Sequence, residues 1–138
     1  MSPARHRWMK YLLLIYSNPE NWEHPIYRET GAFRALPAEE RDALERQAEA
    51  LGDELRESGE LVVGMALADP SVARTVRVRD RLPAVTDGPY LEAKEHLAGG
   101  FVIDCDSPER AAEIAARFPD ASFAAVEVRR SSRPSRGR

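Results

Sequence analysis

Apolar residues occur along the chain in short runs that predict four core strands. Residues 10–16, KYLLLIY, are almost continuously apolar and stop at a Ser-Asn-Pro sequence, which is typical of a strand buried on both faces or nearly so. In residues 61–67, LVVGMAL, alternation predicts a half-buried strand. Residues 101–105 and 122–130 predict the other two strands. The side chains expected to share one face of the second strand are those of Leu61, Val63, Met65 and Leu67.

A helical period predicts a long helix over Ala38–Ser58. Pro37 precedes it, the glutamates of its first turn suit the positive end of the helix dipole, and Gly59 suits the left-handed conformation that ends many helices. Its apolar stripe consists of Leu44, Ala48, Leu51 and Leu55.

A second helix is predicted to begin at Ser107 and Pro108. Serine is a preferred N-cap, and proline is tolerated in the first helical turn. The predicted inner stripe of this helix consists of Ala111, Ile114, Ala115 and Phe118.

A hairpin is predicted between the second and third core strands. In residues 73–80, ARTVRVRD, valines alternate with arginines, so that one strand face is apolar and the other meets water. The sequence AVT follows in residues 84–86 and predicts the second strand of the hairpin.

The element order is therefore β-α-β, an inserted hairpin, and β-α-β. This order predicts an α+β class, namely a ferredoxin-like βαββαβ arrangement with two helices on one face of an antiparallel sheet. Residues 11–16 carry apolar side chains at both parities, so the other sheet face should also be covered. A second copy of the chain is the economical cover, and we predict a homodimer.

Length and composition indicate one globular domain. The chain has 138 residues, of which 43% are hydrophobic and 31% charged. The net charge of −3 predicts no specific nucleic-acid binding, and the longest apolar run is too short for a membrane span, which favours the cytoplasm. Cys105 is the single cysteine, which excludes an internal disulfide, and its apolar strand favours a core role. No metal-ligand spacing is present, and no cofactor is predicted.

Three segments are expected. Residues 1–8 form a basic lead, residues 9–130 form the domain, and residues 131–138 form an arginine-rich tail that we expect to be disordered. The tail has two interpretations: it solubilises the protein, or it makes a weak contact with nucleic acid or an acidic partner.

Several segments resemble the YCII-related family, in its DGPF subgroup. They are MKYLLLIY, ELRESGELVVGMAL, TVRVRD, VTDGPYLEAKEHLAGGFVIDCDSPERAAEIAARFP and AVEVR, in this order between residues 9 and 129. The resemblance implies a ferredoxin-like chain that dimerises into an α+β barrel. The wider barrel superfamily includes small monooxygenases, isomerases and a dehydrochlorinase that act on small, often aromatic, molecules. Members of this subgroup mostly have no assigned reaction, and some are encoded beside extracytoplasmic-function sigma factors, which implies a regulatory connection.

The resemblance also implies where an acid–base pair would lie. Enzyme-like relatives place a histidine on the first helix and an aspartate near the end of the second. Here the helix Ala38–Ser58 has no histidine, so Asp120, at the matching place after the second helix, is expected to lack its partner. The subgroup's phenylalanine after Asp-Gly-Pro is Tyr90, and its usual hairpin glycine is Arg81.

The sequence Asp87-Gly88-Pro89-Tyr90 predicts a fixed turn. Gly88 can take a positive φ, Pro89 restricts the backbone, and the Asp87 carboxylate can accept a following backbone N–H. Asp87 is then only a turn residue, or the turn presents Asp87 and Tyr90 to a ligand at the mouth of a cleft between helix and sheet.

Further candidates flank this turn. Lys94 and Glu95 lie in a charged segment that is either a solvated face or part of a polar pocket, and the following Gly-Gly pair permits a hinge or close packing. Asp104 is either a satisfied strand-end carboxylate or catalytic, and His24, near Trp22, is a candidate to reach a pocket.

Two functions remain open from the sequence. The first is a homodimer that binds an unidentified small molecule, with a regulatory role. The second is a cofactor-free lyase, isomerase or oxygenase acting on a small molecule, aromatic or not.

Overall fold

The computed structural model describes residues 8–134. Within this range the elements, in order, are β1 Met9–Ser17, α1 Gly31–Arg34, α2 Ala38–Ser58, β2 Leu61–Ala66, β3 Arg74–Arg79, β4 Leu82–Asp87, β5 His96–Cys105, α3 Pro108–Arg117, α4 Asp120–Phe123 and β6 Val126–Pro134. Short 3-10 turns occupy Pro19–Asn21, Ile26–Glu29 and Pro70–Val72. The class is α+β, as predicted.

Four strands form an antiparallel sheet in the order β2-β5-β1-β6, and β3 and β4 form a separate two-stranded hairpin. Both α2 and α3 pack on one face of the larger sheet, because their buried residues share a core cluster with those of β1 and β5. The fully buried centre of this cluster includes Leu13, Leu51, Leu55, Ile103 and Ile114. In the described part of the chain, no helix is both long enough and apolar enough to cross a bilayer.

Local signals define the two long helices as predicted. Gly59 ends α2 with a φ of 81°. The Ser107 hydroxyl accepts the backbone N–H of Arg110 at the start of α3, at 3.0 Å. Cys105 lies in the core, and burial raises the pKa of its thiol, which agrees with the predicted core role.

The prediction that Leu61 shares a face of β2 with Val63 and Met65 is wrong. The register shifts between Leu61 and Val63, so that Leu61 lies opposite the core residue Ile103 whereas Val63 lies opposite Val102. A β-bulge inserts an extra residue and thereby moves the following side chains to the other face. Leu61 therefore packs on the core, and Val63 and Met65 lie on the outer face.

The outer face of β1, which we predict a second copy covers, is partly open in the single chain. Tyr11, Leu13 and Ile15 are buried against the helices, whereas Leu12 on the opposite face is 40% exposed. Within one chain β1 is therefore buried on one face only.

The last strand begins later and ends later than predicted. Residues 122 and 123 belong to the short helix α4, and β6 starts at Val126. Disorder was expected from residue 131 onward. Residues 131–134 instead continue β6 to Pro134. Residues 135–138 and the lead up to residue 7 lie outside the described residues.

Candidate functional site

A cavity of about 630 Å³ lies beside β2. It receives side chains from β1, β2, β5, α2, α4 and the loop between β1 and α1. Three ionisable side chains, those of His24, Arg56 and Asp120, line it. Its apolar walls include Ile15, Ile26, Leu61, Val62, Ala98 and Phe101.

Glycines shape the sheet side of this cavity. A Cβ on Gly64 would lie 2.7 Å from the Phe101 ring, so the glycine leaves room for that ring to lie over β2. The Phe101 ring in turn stacks on Phe118, with 4.5 Å between the ring centroids. A Cβ on Gly99 would collide with the backbone of Met65, and Gly99 has a φ of 151°.

The Gly-Gly pair therefore serves close packing, because Gly99 and Gly100 lie inside β5, between β2 and β1. A Cβ on Gly100 would collide with the backbone of Leu13. The hinge interpretation of this pair is wrong.

The loop between β1 and α1 holds His24 at the cavity. The Leu67 carbonyl oxygen lies 2.7 Å from His24 Nε2 and 3.0 Å from Trp22 Nε1. A carbonyl oxygen only accepts hydrogen bonds, so Nε2 carries a proton. In the neutral ring Nδ1 is then the nitrogen free to accept a proton. The His24–Pro25 peptide bond is cis.

Asp120 is the buried acid of the cavity. Its residue is 8% exposed and it begins α4, directly after Pro119. Burial raises the pKa of the Asp120 carboxyl, and a backbone hydrogen bond and then the nearby His24 each offset part of that rise. As expected, α2 has no histidine to serve as the partner of Asp120. A histidine of the loop, His24, lines the same cavity.

Arg56, in the last turn of α2, adds a permanent positive charge. Its guanidinium lies over Gly52, where a Cβ would be 3.3 Å from Nη1. Its Nη1 donates to the exposed Asp53 carboxylate at 3.1 Å.

The residues of the predicted turn lie away from this cavity. The Asp87 side chain is 94% exposed, with Arg74 Nε 3.8 Å from its carboxylate. Gly88 has a φ of 100°, as expected, and its N–H donates to the Ala73 carbonyl at 2.7 Å. Tyr90 is 68% exposed and lines a second cavity at the base of the hairpin.

Within the turn and the segment after it, the ring of Tyr90 lies under the Arg77 guanidinium, with 5.3 Å from Cζ to the ring centroid. Lys94 and Glu95 are exposed in a segment without regular secondary structure, and neither lines either cavity. Of the ligand-binding candidates chosen from the sequence, His24 alone lines the cavity beside β2, where Asp120, the position that the family resemblance indicated, also lies.

Asp104 is a satisfied strand-end carboxylate. It is 2% exposed, Lys10 Nζ lies 3.8 Å from it, and its backbone N–H donates to the Glu60 carbonyl at 2.7 Å. No cavity described above includes it.

Sequence reasoning missed Arg56, because an arginine on an acidic helix gives no local sign of a cavity. One signal was present: Gly52 interrupts an otherwise strong helix sequence, and glycine in a helix costs about 1 kcal/mol relative to alanine. A glycine in that position indicates that something packs close to the helix.

Comparisons with known proteins agree with the sequence resemblance. The YCII-related domain matches residues 9–132. The chain is 31% identical over 105 residues to an uncharacterized protein of Rhizobium meliloti (strain 1021), which covers 75% of this chain and 85% of that protein. The domain match spans almost all of the residues that build the sheet, the helices and the cavity, and the chain therefore belongs to the YCII-related family.

Proposed function

We propose that this chain is a homodimeric small-molecule-binding protein whose ligand occupies the cavity beside β2. The proposal is carried by one observation: His24, Arg56 and the buried Asp120 line a single cavity whose other walls are mainly apolar. Ligand sites typically have volumes of ~300–1,000 Å³ and combine apolar walls with a few polar groups, and the cavity of about 630 Å³ fits both criteria. Binding without turnover also suits the regulatory connection that the family resemblance implies.

The proposal includes a ferredoxin-like chain that forms a dimeric α+β barrel. The strand order β2-β5-β1-β6, with α2 and α3 on one face, supports the ferredoxin-like arrangement. The exposed apolar residues on the other face support a second copy as its cover. The Asp87-Gly88-Pro89-Tyr90 turn supports membership of the DGPF subgroup.

A ligand-observed NMR screen of small aromatic and aliphatic fragments tests the binding site. The comparison uses the wild type, Ala66→Trp, which fills the cavity from an exposed position in β2, and Asp87→Ala, which changes the distant turn. We expect fragments that bind the wild type and Asp87→Ala and that lose binding to Ala66→Trp.

Thermal unfolding of each variant shows whether it is folded. The proposal is wrong if no fragment binds the folded wild type, or if binding survives Ala66→Trp. Loss of binding in Asp87→Ala alone would move the site to the turn.

A second candidate function is a cofactor-free lyase, isomerase or oxygenase acting on a small, aromatic substrate. The observation that favours it is the presence of a candidate base and a candidate acid in one cavity: His24, with Nδ1 free to accept a proton, and Asp120, whose pKa burial raises. Such a pair moves a proton between two positions of a bound molecule without a metal.

Turnover of fragments found in the screen tests this function. We expect His24→Gln and Asp120→Asn each to lower kcat by about 100-fold or more while the fragments still bind, because general acid–base groups contribute factors of ~10²–10⁴. Equal turnover in both variants and the wild type would exclude the pair as catalytic.

A further inference from the structure

We infer that the ligand of the cavity is a singly charged anion, a carboxylate attached to a flat apolar body, and that Arg56 binds its charged group. This inference rests on the proposed function, since it concerns the same cavity. Arg56 is the lining residue with a permanent charge, and that charge is positive. One guanidinium matches one carboxylate in charge and in bidentate geometry.

The helix α2 has an unfavourable residue, Gly52, next to the Arg56 guanidinium. Gly52 lies one turn before it, in the middle of α2, where glycine is less favourable than alanine. A Cβ at this position would lie 3.3 Å from Nη1 and 3.5 Å from Nη2 of Arg56. The glycine therefore leaves room for the guanidinium to lie against the helix, and Arg56 itself lines the cavity.

The guanidinium also keeps donors available for a ligand. It has five N–H donors, and the contact with Asp53 uses Nη1. The two side chains of this pair are 65% and 81% exposed, so the pair is weak and competes little with a carboxylate in the cavity.

Burial disfavours the negative charge of Asp120, the charge that would repel an anion in the cavity. Burial raises the pKa of its carboxyl, which favours the uncharged form. A protonated carboxyl has an O–H donor and no charge that repels a carboxylate. The cavity thus presents a permanent cation, a carboxyl whose negative charge burial disfavours, and His24 to a ligand that is negative at one end.

The remaining walls select the body of the ligand. Phe101, Ile15, Ile26 and Ala98 are apolar, and the glycines of β2 and β5 keep the sheet side free of bulky side chains. An aromatic or conjugated body fits against such walls, whereas a small hydrophilic anion would leave them in contact with water.

Titrations with cinnamate and cinnamamide test the inference. The two compounds share one shape, but only cinnamate carries a charge. Backbone amide shifts in two-dimensional NMR, followed to saturation, give Kd for the wild type, Arg56→Gln and Arg46→Gln. Arg46 is an exposed arginine of the same helix that does not line the cavity, and it is the matched control.

We expect the wild type and Arg46→Gln to bind cinnamate about tenfold more tightly than cinnamamide, because charge-assisted hydrogen bonds are the stronger ones. In Arg56→Gln the two values of Kd should differ by less than about twofold. Equal affinities in the wild type, or a preference for cinnamate that survives Arg56→Gln, would overturn the inference.

Ala66→Trp separates this inference from the proposed function. If both compounds bind equally and both lose binding in Ala66→Trp, the cavity remains a binding site and the anion assignment alone is wrong. If neither compound binds, or if Ala66→Trp leaves binding unchanged, both the anion assignment and the cavity as the binding site are contradicted.

Discussion

Glu60 is a carboxylate held between three elements. It lies between the end of α2 and β2 and is 7% exposed. Arg110 of α3 donates to it twice, from Nε at 2.8 Å and from Nη2 at 2.9 Å, and the Ser58 hydroxyl donates at 2.8 Å. The paired geometry satisfies a charge that would be costly to bury alone.

We predict that Glu60→Gln lowers the free energy of unfolding by roughly 1–3 kcal/mol at neutral pH, because Arg110 loses its charged partner. Hydrogen bonds from Arg110 lower the pKa of the Glu60 carboxyl below its unfolded value. The stabilisation is therefore complete above an unfolded pKa of about 4.3 and is lost as the pH falls through the lower folded pKa.

Urea unfolding at a series of pH values measures both effects. The wild type should lose more stability than Glu60→Gln in the acid range, so the two curves should converge there. Glu57→Gln, at an exposed position of the same helix, is the control and should resemble the wild type. A constant difference between the wild type and Glu60→Gln at all pH values would contradict the linkage.

At the scale of elements, the β3–β4 hairpin forms without the glycine that its turn favours. Asp80 and Arg81 connect the strands with φ values of 51° and 69°. Two-residue turns with positive φ at both positions prefer Asn-Gly or Asp-Gly, and a left-handed conformation costs a larger residue ~1–2 kcal/mol. Arg81 therefore adopts a backbone conformation that is unfavourable for its side chain.

We predict that Arg81→Gly stabilises the hairpin by about 1 kcal/mol, because glycine adopts this φ without a steric penalty. Hydrogen exchange of the β3 and β4 backbone amides should slow by about fivefold if the hairpin opens locally. Arg79→Gly, inside β3, is the matched control and should speed exchange, because glycine weakens a strand. Faster exchange in Arg81→Gly would contradict the assigned turn.

At the scale of the whole molecule, the face of the large sheet opposite the helices carries exposed apolar side chains. The register places Leu12, Val102 and Val63 in one row across β1, β5 and β2, away from the core. Leu12 and Val63 are 40% and 46% exposed, and the adjacent Met65 is 64% exposed. A contiguous apolar face of this kind is uncommon on a monomer.

We predict a dimer of twice 15.5 kDa that the double substitution Leu12→Glu with Val63→Glu disrupts. Two carboxylates in an apolar interface are left unpaired on association, so the dissociation constant should rise by at least about thirtyfold. Sedimentation equilibrium measures it. Ala43→Glu, on exposed α2, is the control. A monomeric wild type at micromolar concentration, or an unchanged dimer in the double variant, would remove the barrel from the proposal.

The face of β2 and the grouping of the cavity residues could not be predicted from the sequence. Alternation predicted one face for β2, but the bulge after Leu61 depends on how β2 pairs with β5, and pairing is a long-range property. His24, Arg56 and Asp120 are far apart in the chain and carry no common spacing. The Asp87-Gly88-Pro89-Tyr90 sequence was interpreted as a site instead. Its predicted turn is confirmed at Gly88, which has a positive φ.

The sequence by itself determined the two long helices, their caps, the inserted hairpin, the α+β class and the YCII-related family. These follow from periodicity and from residues such as Gly59 and Ser107, which act on their immediate neighbours. Only the tertiary structure decided that a loop histidine and Asp120 line one cavity, and that Arg56, whose guanidinium lies over Gly52, lines it as well. The reason is physical: a helix cap is a contact between residues three or four apart, whereas this cavity is the space left where five elements and a loop pack together.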